Sequence, residues 1–218
     1  MRLVLFDMDH TLVPCDTGTL WAEYLVNNQL LSSEMATRRK QFLIDYQAGI
    51  LDAAEAYRFE MKVLNELPED KRSWLLNDFF ATSIKPIIPA KAIAQVNYHR
   101  QQGDYIIIIT ATLEEIAQPI AEFFAVDFLI GGQGILDEHG KYTGEIVLEP
   151  CMGRGKLVHL ENWLTISNNN PQHYIFYSDS HNDLPLLEQV DEAIAVDPDE
   201  QLQQIAQANS WPIISFIN

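Results

Sequence analysis

Apolar and polar positions follow two different rhythms along this chain. The opening run Leu3-Val4-Leu5-Phe6 is short and continuously apolar, as a strand buried on both faces should be. From residue 18 to 80 the apolar positions instead recur at helical spacing, as in Leu20, Tyr24 and Leu25 and again in Phe42, Leu43 and Tyr46. Good helix formers are common there and no β-branched run intervenes, so the stretch predicts several helices. After Pro86 and Pro89 helices and strands alternate. Residues 90–101 read as a helix, Tyr105–Thr110 as a buried strand, Leu113–Phe124 as a helix and Phe128–Ile130 as a short strand. Asp137-Glu138-His139-Gly140 carries the turn residues of a hairpin. Further on, 155–166 predicts a helix, Ser167–Asn170 before Pro171 a loop, and Tyr174–Tyr177 a strand. Leu184–Gln189 (helix), Ala193–Val196 (strand) and Gln201–Asn209 (helix) complete the series. Strands alternating with helices imply βαβ units, and hence a parallel sheet with helices on both faces. The expected class is α/β: a Rossmann-like parallel-sheet core over residues 1–13 and 83–218, interrupted early by a helical insert over 14–82.

Composition narrows the setting. The 218 residues are 47% apolar and 21% charged, ordinary for a globular protein. Runs such as Tyr105–Ile109 are far too short to span a bilayer. The N-terminus reaches Asp7 after only four apolar residues, without the pattern of a secretory signal. A soluble, cytoplasmic protein is expected, with Cys15 and Cys151 as reduced thiols. The net charge of −17 disfavours nucleic acid and anionic membrane as partners.

Carboxylates gather where a parallel sheet places its ligands, beyond the carboxyl ends of the strands. Asp7 and Asp9 follow the first predicted strand, Thr110 closes the second, and Asp179 and Asp183 follow Tyr174–Tyr177. Lys156 lies near the start of its own predicted helix and could face the same rim. The two-residue spacing of Asp7 and Asp9 points both side chains one way if the chain stays extended. Two such charges repel, and Asp179 adds to the repulsion. A magnesium ion relieves it, being a hard cation that takes oxygen ligands and keeps waters a phosphate can replace. Asp7 needs no deprotonation to attack phosphorus, and Asp9 can then act as acid and base. An acidic protein that binds a phosphate needs local positive charge, which the metal, Lys156 and helix N-termini would supply.

Each residue alone has a plainer reading. Asp-x-Asp is common, and Asp179-Ser180-His181-Asn182-Asp183 could be a loop with a helix cap. Thr110 could be a strand-end hydroxyl and Lys156 a solvated surface lysine. Their order, each at an expected strand or helix end, is harder to attribute to chance.

These segments resemble the haloacid dehalogenase (HAD) superfamily of phosphatases over nearly the whole chain. Leu5-Phe6-Asp7-Met8-Asp9-His10-Thr11-Leu12 matches its first motif, Ile109-Thr110-Ala111 the second, and Lys156 in Gly153-Arg154-Gly155-Lys156 the third. Tyr177-Ser178-Asp179-Ser180-His181-Asn182-Asp183 matches the fourth. The helical insert falls where the phosphoserine phosphatase-like subgroup carries a helical cap. Bacterial members described as histidinol-phosphate phosphatases share the pattern most fully. The resemblance implies an aspartyl-phosphate intermediate on Asp7, with Asp9 as general acid and base. It implies magnesium held by Asp7, Asp179 and the Asp9 carbonyl, with Asp183 and Asn182 supporting the ion from behind its ligands. Thr110, Ala111 and Lys156 would hold the phosphate. An Asp at position 9 resembles the hydrolysing members, where ion-pumping relatives carry Thr.

For the leaving group, Asp16 stands nine residues after Asp7, where phosphoserine phosphatases carry a glutamate that meets the substrate ammonium. It reads equally well as a loop cap before Thr17-Gly18. A carboxylate reader could come from Arg58, Arg38 or Arg39, although Arg38-Arg39-Lys40 reads more simply as a solvated helix face. His10 and Thr110-Ala111-Thr112 depart from the phosphoserine phosphatase pattern. Histidinol phosphate, with an ammonium and no carboxylate, is therefore preferred over phosphoserine. His10, His159 and His181 form no metal-ligand spacing; His10 and His181 fall near the rim, more readily as bystanders than as ligands. A phosphotransferase and a non-catalytic binder of phosphorylated ligands are the alternatives of other classes.

Overall fold

Alternation within the first strand decides the architecture. A computed structural model describes residues 1–217. In it β1 (Arg2–Phe6) sends Val4 and Phe6 into one core and Leu3 and Leu5 into another, on opposite faces of one sheet. Strand β2 (Tyr105–Leu113) does the same, with Ile106 and Ile108 on the first face and Ile107 and Ile109 on the second. With β3 (Phe128–Gly132), β6 (His173–Ser178), β7 (Glu192–Val196) and β8 (Ile213–Ile214) they form a six-stranded sheet in the order β3-β2-β1-β6-β7-β8. Every neighbouring pair is parallel. Strands β4 (Gly134–Leu136) and β5 (Tyr142–Ile146) make a separate antiparallel hairpin. Its turn is held by Asp137, whose side chain accepts from the backbone N–H of His139 and of Lys141.

Helices α7 (Arg154–Ser167), α8 (Leu184–Leu187) and α9 (Glu200–Ala208) cover the Leu3 face through Leu160, Trp163, Leu186, Leu187 and Leu202. The Phe6 face meets α5 (Ala90–Gln101) and α6 (Glu114–Phe124), and with them the helical insert. The insert consists of α1 (Thr17–Asn27), α2 (Ser33–Gln47), α3 (Ala53–Glu66) and α4 (Glu69–Phe79). Asp16, Ser32 and Asp52 cap the first three by accepting from the N–H groups of Thr19, Met35 and Glu55. No apolar seam divides insert from sheet: Trp21, Leu25, Met61, Leu64 and Phe79 share one buried cluster with Val4, Phe6 and Met8.

The α/β class, the parallel sheet and the helical insert agree with the sequence expectation. Three local details differ. Strand β2 runs past Thr110 to Leu113, its register against β3 shifting between Ile109 and Leu113. Helix α8 stops at Leu187, because the chain must turn into β7 at Glu192. The two-residue β8 carries too little pattern to be read. Among the described residues no helix is long and apolar enough to cross a membrane.

Candidate active site

The site is built by the ends of three adjacent strands. As β1 ends, the Asp7 N–H donates to the Tyr177 carbonyl of β6 at 2.9 Å, which ties the first aspartate to the neighbouring strand. The chain then closes a tight turn, in which the N–H groups of Leu12 and Val13 both donate to the Met8 carbonyl. His10 takes a left-handed backbone conformation (φ 59°) in this turn. The turn returns Thr11 beneath the two strand ends. Its Oγ1 lies 3.2 Å from Asp7 Oδ2 and 3.1 Å from Asp179 Oδ1, so one hydroxyl proton serves two carboxylates.

Lys156 reaches the same point from the first turn of α7. Its Nζ donates to Asp7 Oδ1 at 2.6 Å and to Asp183 Oδ2 at 2.7 Å, with the lysine only 3% exposed. Burial alone would lower the lysine pKa, but Asp183 and Asp7 lift it well above the ordinary value. Burial, then the charges of Asp7 and Asp183, push the Asp179 carboxyl well up. Asp183 also accepts from Ser178 Oγ through Oδ2, while its buried Oδ1 meets no donor. One ammonium thus faces two buried carboxylates and the partly buried Asp179, and negative charge is left over.

Asp9 points into a cavity of about 110 Å³ that is also lined by Asp7, Thr110, Ala111, Lys156 and Asp179. Its Oδ1 accepts from the N–H and hydroxyl of Thr17 and its Oδ2 from Thr112 Oγ1 at 2.9 Å. Burial, followed by the Asp16 charge, pushes the Asp9 carboxyl up to about 7, against the Thr17 hydrogen bonds. Neither Thr17 nor Thr112 stands out as a site residue in the sequence; Thr112 directly follows the second motif, but nothing local marks Thr17. Thr110 Oγ1 accepts from the Thr112 N–H at 3.1 Å, which orients that hydroxyl at the cavity wall.

The remaining predicted residues divide. Asp16 lines the cavity and caps α1 at once, its Oδ1 accepting from Thr19 N–H at 2.6 Å. Asn182 turns to the insert, its Nδ2 donating to the Tyr46 carbonyl at 3.5 Å. Tyr46 OH in turn donates to Ser180 Oγ at 3.3 Å. His10 lines the cavity. His181 pairs through Nδ1 with Asp199, and His159 lies against the Glu149 carbonyl. Arg58 and Arg38 are exposed. Arg39 is not on a solvated face: it lines the cavity between Asp16 and Glu60. Glu60 stands outside the four sequence motifs.

Among the described residues no three acidic, imidazole or thiol groups converge in a ready-made metal cage. The local chemistry nevertheless fits a cation that brings its own waters. Asp7 and Asp179 share a single hydroxyl, and Asp183 keeps an unpaired buried oxygen.

Comparison with known proteins points the same way. The model of the family described as haloacid dehalogenase-like hydrolase matches residues 4–188. The chain is 34% identical over 219 residues to a histidinol-phosphatase of Neisseria meningitidis serogroup C, covering 99% of each. A solved protein of unknown function from Bordetella pertussis Tohama I superposes with a TM-score of 0.90 at 34% identity, covering 98% of this chain and 97% of that one. A substrate-bound phosphoserine phosphatase shares the fold at TM-score 0.68 and 20% identity, over 98% of this chain and 91% of its own.

Proposed function

The chain belongs to the haloacid dehalogenase-like hydrolases, and from that premise we propose that it is a magnesium-dependent phosphomonoester hydrolase acting on a small phosphorylated metabolite in the cytoplasm. The observation that carries this reading is the convergence of Asp7, Asp9, Thr110, Lys156 and Asp179 on one cavity. Residues 14–82 act as its cap, and the rest of the chain as the core that does the chemistry.

Asp7 is the nucleophile. One of its oxygens bonds to phosphorus as the bond from phosphorus to the leaving oxygen breaks. A proton from Asp9 passes to that oxygen, so the alcohol leaves neutral. Asp9, now a carboxylate, takes a proton from a water whose oxygen attacks phosphorus. The bond to Asp7 breaks and inorganic phosphate is released. The transition state spreads charge over the phosphoryl oxygens, which Lys156 is positioned to neutralise with the Thr110 hydroxyl and the Ala111 backbone. Magnesium, held by Asp7, Asp179 and the Asp9 carbonyl, would supply further electrostatic stabilisation, with Asp183 and Asn182 behind it. Asp16 meets an ammonium on the leaving group.

Histidinol phosphate is the preferred substrate over phosphoserine, supported by the Neisseria relative's name and by the acidic side of the cavity. The first test is Asp7→Asn with a generic aryl phosphate. Magnesium-dependent hydrolysis should vanish, and retained activity would overturn the nucleophile assignment. Product analysis with added alcohols separates hydrolysis from transfer to another acceptor.

A further inference from the structure

Two charged side chains stand on the inward stripes of the helices that cover the site. In α2 the spacing Ala36, Arg39, Leu43, Tyr46 follows one face, and in α3 Tyr57, Glu60, Met61, Leu64 follows another. Charges on such stripes are costly to bury unless they are paired. Here they pair with each other and with Asp16. Arg39 Nη2 lies 2.9 Å from Asp16 Oδ1, and Arg39 Nε donates to Glu60 Oε1 at 2.6 Å. All three side chains are largely buried, with 12–15% exposure.

The pairing does not balance. Two carboxylates share one guanidinium, and Asp9 lies close enough for the Asp16 charge to act on it. The protein's donors to these acids fall on Asp16 Oδ1 and Glu60 Oε1, and both residues line the cavity. Phe42, Leu43, Ala56 and Tyr57 make the neighbouring wall apolar, where an unbalanced charge is weakly screened.

We propose that Glu60 is the specificity-determining residue of this site: together with Asp16 it draws in a protonated amine on the leaving group, while Arg39, already held by both acids, has no charge to spare for a substrate carboxylate. The proposal rests on the phosphatase reading above. It gives Arg39 a role opposite to that of a carboxylate reader. The arginine keeps two acids together that would otherwise repel. Removing the Glu60 charge has two opposite effects: the cluster becomes neutral, so the attraction for an amine falls, and half of Arg39 is released, so the penalty on a carboxylate relaxes. A residue with a merely structural role would not shift both preferences.

Three small phosphates isolate the effect: phosphoethanolamine, ethyl phosphate, which lacks the amine, and phosphoserine, which adds a carboxylate. In the unaltered protein kcat/KM should rank phosphoethanolamine above both others. In Glu60→Gln its advantage over ethyl phosphate should fall by about ten- to a hundredfold, the range of one hydrogen bond to a charged group. Its advantage over phosphoserine should fall as well. Each ratio is measured on one protein, so any loss of folded material cancels. Glu60→Asp, which keeps the charge, should recover part of the amine preference. The same ratios, taken as dissociation constants by calorimetry, read the cluster without turnover. Absence of phosphate release would count against the phosphatase reading, while a binding ratio that depends on Glu60 would still support this one. If the unaltered protein shows no preference for phosphoethanolamine over ethyl phosphate, or if Glu60→Gln leaves both ratios within about twofold, the proposal is overturned.

Discussion

The ammonium of Lys156 ends 2.6 Å from Asp7 Oδ1, although 149 residues separate the two in the chain. It is the cation that makes the buried carboxylates of Asp7 and Asp183, with the partly buried Asp179 beside them, tolerable in the folded state. Lys156→Met should therefore damage both stability and catalysis. Removing one partner of a buried ion pair typically costs about 3–5 kcal/mol. Loss of a charge aimed at the phosphoryl oxygens should lower kcat by about 10²–10³. Urea unfolding and aryl phosphate turnover measure the two effects, and near-normal turnover in a folded variant would contradict the assigned role.

Magnesium should relieve the charge that Lys156 leaves uncompensated. A ligand bound only by the native state stabilises it by about 2.7 kcal/mol at a hundred times its dissociation constant. Unfolding at fixed pH, with and without magnesium, should show a shift of that order in the unaltered protein. Asp179→Asn should remove most of the shift and most of the activity, and chelation should abolish turnover reversibly. An equal magnesium shift in Asp179→Asn would remove that residue from the ligand set.

A second network runs behind the site, from Tyr177 to the amino ends of β1 and β2. The Tyr177 ring stacks on Phe6 at 4.5 Å, immediately before Asp7 and close before Asp179. Its hydroxyl lies 2.8 Å from His99 Nε2, while His99 Nδ1 lies 2.8 Å from Asp104 Oδ2, and Arg2 binds both Asp104 oxygens. Burial would raise the Asp104 carboxyl, but the hydrogen bonds from Arg2 and His99 outweigh it and hold it below the ordinary value. A depressed folded pKa stabilises the protein above the unfolded pKa of about 3.9, and that stabilisation is lost as pH falls through the folded value. Asp104→Asn should cost about 1–3 kcal/mol at neutral pH. The gap from the unaltered protein should narrow as pH falls below about 4. Equal gaps at neutral and acid pH would show that ionisation of Asp104 plays no part.

The fold was legible because two periods carry it. Leu3–Phe6 and Ile106–Ile109 are continuous apolar runs because each feeds two cores, and the helices show their faces at 3.6-residue spacing. Asp7, Asp9, Thr110 and Asp179 were legible as a group for the same reason, since strand ends are where a parallel sheet gathers its ligands. Arg39 was not, because a run of three basic residues hides which one turns inward. Arg38 and Lys40 pair with Glu55 and Glu23 at the surface, while Arg39 alone shares the spacing of Ala36 and Leu43. Glu60 carries the same signal in α3, a charge in register with Tyr57 and Leu64, and only its partner across the insert explains it. The Thr17 hydroxyl on Asp9 had no comparable signal, since its destination depends on how α1 meets the turn after β1.

Gly18 offers the sharpest test of how firmly Arg39 is held. Alanine is ordinarily favoured over glycine within a helix by roughly 0.5–1 kcal/mol, and α1 includes Gly18 near its start. A Cβ at this position, however, would fall 2.0 Å from Arg39 Nη2 and 2.6 Å from its Cζ. The far end of an arginine can usually swing away at little cost. Here it is tied to Asp16 and Glu60, so retreat means leaving two buried carboxylates without their cation. Gly18→Ala should therefore destabilise the protein by about 1–3 kcal/mol, opposite in sign to its effect on helix propensity. In an Arg39→Ala background the obstruction is gone, and the same substitution should become neutral or stabilising. The coupling between the two positions, read from urea unfolding of the four proteins, should exceed about 1 kcal/mol. If Gly18→Ala is equally harmless with and without Arg39, the guanidinium moves freely and cannot be the fixed counter-ion on which the balance between Asp16 and Glu60 depends.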